Sequence, residues 1–548
     1  MRISARMLLA ACLLSAAFCQ QRDMAAPSKP ATLMSGFGDL HHPVSTSNAE
    51  AQQFFDQGLR LIYAFNHEEA LRSFQRAAEL DPKMAMAYWG IAEAIGPNYN
   101  DPASDDRFQQ AHDAAQKAVS LKSDASPAEQ DYIDAIAIRF PAGPKADRRK
   151  AAEQYRDAMR QVVQKYPDDL DVATLFAESG MNLHPWGLWH PDGTPEEGTT
   201  EIVATLESVI RRDPNHMGAI HYYIHAVEAS QSPERALAPA NRLAGLAPGA
   251  GHLVHMPAHV YIRTGDYASA VATNQKAAAA DEAYIKASGA QGMYPMMYYS
   301  HNLHFIAMCA AMNGNYAESK KAADQLAAHV TPFLKEMPPL EGFTTLPMAV
   351  DVRFHRWNDI LKMQSPDPQQ QVRTFFYHFA RGMALAATGQ VADADAEYKI
   401  VSEAEKKMPP DVPFAPPVDN KVKDIMKIAR DVLGAKIALA RNDTPGAISL
   451  LRQAVAVQDS LKYNEPPDWF YPVRESLGAV LLKSGNLTEA EAVFREDLQH
   501  NPRNPRSLYG LHQALKAQKR DYDAQFVEKQ FQSSWKGDTT TLNIEELV

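Results

Sequence analysis

Residues 54–82 read FFDQGLRLIYAFNHEEALRSFQRAAELDP, and within them Gly58, Ala70, Phe74 and Pro82 fall at successive spacings of 12, 4 and 8. The same spacings return 420 residues later in Gly478, Ala490, Phe494 and Pro502. Two helical runs meet at a turn around Asn66-His67. Small residues in each run let the two helices approach closely, and the terminal proline, which has no N–H to donate, stops the second. Weaker copies lie between the two clear ones: Ala236 with Pro248; Tyr261, Gly265, Tyr267 and Ala270; Gly314, Tyr316 and Ser319; Gly382, Gly389 and Ala394; and Ala447 with Leu451 and Ala454. The intervals 236 to 270 and 490 to 524 are each 34 residues.

This pattern resembles the tetratricopeptide repeat, and the resemblance covers most of residues 50–535. It implies an all-α fold, an α-solenoid in which helix pairs wind into a right-handed superhelix. The chain divides accordingly: residues 1–19 as a signal peptide, 20–49 as an N-terminal extension, 50–170 as N-terminal repeats, 171–330 as central repeats, 331–535 as C-terminal repeats and 536–548 as a tail. Segments 184–198 (HPWGLWHPDGTPEEG), 332–347 and 407–418 (KMPPDVPFAPPV) are rich in Pro or Gly and cannot continue a helix. Insertions of this kind gather on one face of a solenoid, often the binding face. No segment of useful length has the alternation of a strand.

Arg2 and Arg6 precede an apolar run from Met7 to Leu14, followed by Ser15, Ala16 and Ala17, the layout of a secretory signal. Phe18 stands before Cys19 where lipoprotein signals want a small residue, so a soluble exported chain, periplasmic or secreted, is expected over an anchored one. No later stretch reaches the roughly 20 apolar residues of a membrane span. With 55 Lys and Arg against 66 Asp and Glu, the formal charge is −11, which excludes the basic surface that tracks nucleic-acid backbones. Two of the three cysteines lie in the signal segment, leaving Cys309; a thiolate-rich zinc site is excluded, and any metal must be held by histidine and carboxylate.

The chain has 19 histidines, and seven fall between residues 221 and 304, in HYYIHAVE, HLVHMPAH and HNLH. Counted back from Ala236, His221, His225 and Glu228 lie at 15, 11 and 8 residues. His252, His255 and His259 lie 18, 15 and 11 before Ala270, and His301 and His304 lie 18 and 15 before Ser319. Spacings of three, four and seven put each set on one helix face. In the family the chain resembles, these offsets are first-helix positions lining the concave groove, so three neighbouring helices are expected to aim their imidazoles into one volume.

Imidazole without thiolate suits copper, zinc or iron, and seven histidines exceed the ligands of one zinc ion, which implies one or two ions. Glu228 is a candidate acid or base, and Arg263 a candidate holder of a carboxylate or phosphate. His184, Trp186, Trp189 and His190, in the inserted loop, are candidates for a lid, and Asn98 and Asn100 for reaching the same cavity. Cys309, off the groove offsets, reads as a buried apolar residue. Three functions stay open: a metal-dependent hydrolase or oxidase acting on a small organic ligand, a metal capture or delivery protein, and a scaffold whose groove takes a peptide. No phosphate loop, dinucleotide fingerprint, nucleophile elbow or H-E-x-x-H run is present.

Overall fold

The computed structural model describes residues 31–143, 146–415, 418–537 and 542–548. The signal peptide expected at residues 1–19 lies outside the described residues. The fold is all-α, an α-solenoid of tetratricopeptide-type helix pairs. Two compact units divide the chain, one up to Leu253 and one from Val254.

The first unit stacks the pairs Ala49–Tyr63 with His67–Leu80, Ala85–Ile95 with Asp105–Leu121, Pro127–Arg139 with Arg148–Lys165, Leu170–Met181 with Thr199–Arg212, and Met217–Val227 with Leu237–Leu246. In the second unit, Pro257–Thr264 pairs with Tyr267–Ser288 and Tyr299–Met312 with Tyr316–Val330. The C-terminal pairs are Gln371–Ala387 with Val391–Lys407, Val422–Ala440 with Thr444–Ser460, Val473–Lys483 with Leu487–His500, and Pro505–Ala517 with Asp521–Ser534. The proline-rich stretch near residue 410, read from sequence as a loop, contains a short antiparallel pairing of Pro413–Ala415 with Val418–Lys421. Its three and four residues are too few for an alternating pattern to show in sequence.

The repeated Gly and Phe explain each other. A Cβ on Gly58 would lie 2.6 Å from the Phe74 ring, and one on Gly90, in the next first helix, 2.4 Å from it. Gly478 and Gly510 stand in the same relation to Phe494, at 2.6 and 2.2 Å. One aromatic ring on the second helix is thus clamped between the bare backbones of two first helices. Both phenylalanines are fully buried and have no room to retreat. The expected outcome for Gly510→Ala is a loss of about 1–3 kcal/mol by overpacking, read from urea unfolding.

Turns inside the pairs follow a formula as well. Gly265, Gly314, Gly389 and Gly485 all have φ between 76° and 89°, the left-handed region that glycine enters at no steric cost. The next residue caps the second helix in several cases: Asp266 accepts from the Ser269 N–H and Asn315 from the Glu318 N–H. Phe65 and His355 stand at this turn position with φ of 52° and 54°. A bulky residue held there costs about 1–3 kcal/mol, and such strain collects at functional sites.

The described part of the extension lies along the first unit. The Ser45 N–H donates to Glu129 at 2.6 Å, Thr46 Oγ1 to Asp81 at 2.6 Å, and Arg60 Nε to the Leu40 carbonyl at 2.7 Å. At its centre His42 Nδ1 meets Asp171 Oδ2 at 2.8 Å, while the Tyr63 hydroxyl donates to Asp171 Oδ1 at 2.7 Å. Burial opposes ionisation of Asp171, but hydrogen bonds and charge from His216 and His42 outweigh it and hold the carboxyl well below its ordinary range. His42 is held above its ordinary value: burial pushes it down, and its bond to Asp171 with the surrounding carboxylates more than compensates. The depressed acid contributes stability above its ordinary value of 3.8 that is lost as pH falls. The raised base contributes stability below 6.5 that is lost as pH rises through its elevated value. His42→Gln is therefore expected to lower the melting temperature of the first unit most near pH 5–6 and progressively less above neutrality, as thermal melts across pH will show.

Candidate metal centres

Six of the seven central histidines fall into two triads, one in each unit, and His304 belongs to neither.

In the first unit His221 and His225 sit one turn apart on the helix Met217–Val227, and His252 is on the short helix Gly251–His255. All three are buried, with one ring nitrogen each lying within 4.8 Å of the others. His221 Nε2 and His252 Nε2 are 3.0 Å apart. His221 Nδ1 lies 2.6 Å from the Tyr63 carbonyl, which can only accept, so the proton is on Nδ1 and the Nε2 lone pair turns toward His252. His225 Nδ1 donates to Glu228 Oε1 at 2.9 Å.

Phe65, the strained turn residue, lies beneath all three, its ring centre 4.5 Å from that of His221, 5.6 Å from His225 and 5.4 Å from His252. A glycine at this turn would relieve the backbone and remove that platform. The inserted loop closes over the same place. Trp186 stacks on Tyr99 at 5.6 Å and meets His225 edge-on at 6.0 Å. Its Nε1 donates to Asn100 Oδ1 at 3.0 Å, and Trp189 Nε1 donates to the Ala226 carbonyl at 2.8 Å. His184 and His190 stay toward solvent in that loop, where His190 faces Glu196 at 3.4 Å.

In the second unit the triad is His255, His259 and His301. The sequence reads 252–263 as one helix, but it breaks at Met256: Pro257 opens a new helix, Pro257–Thr264, since it cannot donate to the preceding turn. His255 and His259 therefore approach across a break, with Nε2 atoms 2.8 Å apart. His255 Nδ1 is 2.7 Å from Asn274 Oδ1, and Asn274 is fixed in that orientation by donating from Nδ2 to the Ala270 carbonyl at 2.8 Å. His259 Nδ1 donates to Glu465 Oε2 at 3.0 Å. His301, half-buried, follows a π-helical turn, Tyr294–Tyr298, of the kind that re-aims side chains at functional sites. Phe305 is the counterpart of Phe65, its ring centre 4.6, 4.9 and 4.8 Å from those of His255, His259 and His301.

His304 shares the sequence offset, yet its ring packs on Phe343 at 5.5 Å, and desolvation pushes it down to about 4. The Arg263 guanidinium lies 5.5 Å from the ring centre of Tyr463, in the same loop as Glu465. Glu228 is fully buried at the end of its helix, where its geometry is that of a group orienting His225. Cys309 is buried, and burial pushes its thiol far above the ordinary range. Five residues that complete the centres were not reached from the sequence: Tyr63, Phe65, Asn274, Phe305 and Glu465. Asn274 carries one signal, lying four residues after the repeat's small Ala270 and so on the same helix face.

Tetrahedral zinc with bonds of 2.0–2.1 Å needs ligand nitrogens about 3.3 Å apart. The close pairs at 3.0 and 2.8 Å open to that distance by a few tenths of an ångström. The donor set, three imidazoles without thiolate on a dry aromatic floor, fits zinc, copper or iron.

No family model matches the chain, and no curated protein matches it. Among solved structures it is similar to the human IFIT1 dimer with m7Gppp-AAAA, at 13% identity over 89% of this chain and 91% of that one, with a TM-score of 0.33. The yeast Tom70 structure aligns at 11% identity over 89% and 93% of the two chains, with a TM-score of 0.28. A third, the P58(IPK) TPR domain, aligns at 13% identity over 86% of this chain and 99% of that one, with a TM-score of 0.22.

Proposed function

We propose that this chain is an exported helical-repeat scaffold that holds a transition-metal ion in each of two histidine centres, one centred on His221, His225 and His252, the other on His255, His259 and His301. The observation that carries this reading is the state of the Nδ1 atoms. In His221, His225, His255 and His259, Nδ1 is tied to a carbonyl, a carboxylate or an amide oxygen. Metal-ligating histidines are oriented in this way, because the bond fixes the tautomer and turns the other nitrogen to the ion. A satisfied core histidine needs one such bond; six imidazoles grouped in threes around two phenylalanines need a further reason.

Three ligands per ion leave a coordination position for water or a bound molecule, as catalytic zinc sites do. When bound, the metal supplies Lewis acidity or redox chemistry. The protein's own part is to hold neutral imidazoles, to keep water from the apolar floor and, through the Trp186 loop, to cover the first centre. Capture or delivery of the ion uses the same residues. The test is titration of the metal-free protein with cobalt(II), followed by visible absorption. Two saturable equivalents with the intense bands of a tetrahedral nitrogen site support the proposal; only the weak spectrum of hexaaquo cobalt would sink it.

A further inference from the structure

Residues Leu542–Val548 (LNIEELV) lie across the first helices of the C-terminal pairs of the second unit, and what holds them is largely their own backbone. Arg506 Nη1 donates to the Glu546 carbonyl at 2.8 Å, Ser476 Oγ to the Leu547 carbonyl at 2.7 Å, and Lys436 Nζ to the Val548 carbonyl at 2.7 Å. The donors come from three consecutive first helices, Pro505–Ala517, Val473–Lys483 and Val422–Ala440. One ion pair flanks them, Lys483 with Glu545 at 3.1 Å, and Glu546 Oε2 lies 3.6 Å from His355 Nδ1. Leu542 and Leu547 are the buried apolar contacts.

The floor beneath is cationic. Arg353 and Arg506 face Glu475, and Arg506 and Lys436 face Glu546. His355 stands at the strained turn position that glycine fills in other repeats, stacked on Trp357 at 4.6 Å. Burial pushes Arg506 down to about 10 and Lys436 down to about 8, in each case with neighbouring cations adding to the effect. Burial, followed by the charges of Lys436, Arg506 and Arg353, holds His355 well below its ordinary value. A segment that only capped the repeats would bury apolar surface, which costs no charge desolvation; here desolvated cations meet carbonyls and carboxylates.

We propose that residues 542–548 are an intramolecular ligand of a peptide-binding groove, and that the groove accepts in their place a partner segment of the same chemistry, two consecutive acidic residues followed by two aliphatic ones. Recognition through carbonyls is indifferent to most side chains, so specificity rests on the acidic pair, Glu545 at Lys483 and Glu546 beside the charges of Arg506 and Lys436, and on the aliphatic pocket at Leu547. Two leucines and three hydrogen bonds are set against ordering seven residues at about 1–2 kcal/mol each, so the hold is weak enough for exchange.

The experiment uses a fluorescein-labelled LNIEELV peptide and anisotropy titration against chelator-treated protein, which separates this groove from the metal reading. Three proteins are compared: the full chain, a chain ending at residue 537, and the full chain carrying Leu547→Asp. The expected result is a Kd at least tenfold lower for the shortened chain and for the Leu547→Asp variant than for the full chain. Lys436→Met in the shortened chain is expected to lose at least tenfold, and a peptide with both glutamates replaced by glutamine to bind more weakly still. Equal binding by full and shortened chains, or no binding by any of the three, overturns the proposal. So does loss of helical circular dichroism in both the shortened chain and the Leu547→Asp variant, because the segment is then part of the fold.

Discussion

Arg353→Met is expected to destabilise the second unit by about 3–5 kcal/mol, the cost of stranding a buried charge by removing its partner. Arg353 grips Glu475 with both terminal nitrogens, at 3.0 and 3.1 Å, and the two side chains are 2% and 3% exposed. Behind Glu475 stands a second carboxyl. Asn504 Nδ2 donates to Glu475 at 2.8 Å and to Asp497 at 2.7 Å, and Ser507 donates to Asp497 at 2.5 Å. Burial, then the charge of Glu475, pushes Asp497 up to about 6.

Without the Arg353 guanidinium, these two acids keep amide and hydroxyl donors and the charge of Arg506, which does not hydrogen-bond Glu475. A carboxyl whose folded value is raised is a liability above that value and is relieved by proton uptake below it. The deficit of Arg353→Met should therefore be smaller at pH 5 than at pH 8. Replacing Glu475 by Met in the same chain should recover much of it, since an apolar pair substitutes well for a buried ion pair. Urea unfolding of the four proteins of this cycle is the check, and a single-variant loss under about 1 kcal/mol at pH 8 contradicts the account.

The second large effect is on metal affinity. Glu465→Gln keeps the shape beside His259 and removes the carboxylate that accepts from its Nδ1. Losing such an outer partner is expected to weaken the second centre by 10–100-fold, and Glu228→Gln is expected to weaken the first by as much. His255→Ala with His259→Ala goes further and removes the second centre altogether. Competition against a chromogenic chelator resolves the two affinities. If both glutamine variants bind as the natural chain does, the histidines are not held as ligands.

The fold was legible because its packing rule is local: a glycine, a small residue, a phenylalanine and a proline within 25 residues are enough to specify two helices and the ring between them. The histidine positions were legible for the same reason, as offsets from Ala236, Ala270 and Ser319. Their grouping was not. Pro257 breaks the helix between His255 and His259, and the seven positions resolve into two triads and His304.

Glu465 was out of reach because it lies 206 residues from His259, in a loop without a repeat offset. The extension's contact from His42 to Asp171 spans 129 residues and obeys no period. Phe65 and His355 did carry a signal. Each replaces the glycine that fills this turn in other pairs, as Asn442 and Lys519 also do, and what sets these two apart is the contact of their rings with aromatic neighbours.

Each triad is proposed to hold one ion. Elemental analysis by inductively coupled plasma mass spectrometry, on tag-free protein beside the His221→Ala/His225→Ala and His255→Ala/His259→Ala variants, tests it most directly. Two equivalents of zinc, copper or iron in the natural chain and one in each variant, with helical content preserved, is the predicted result. A metal content near zero after reconstitution, or one unchanged in both variants, contradicts it.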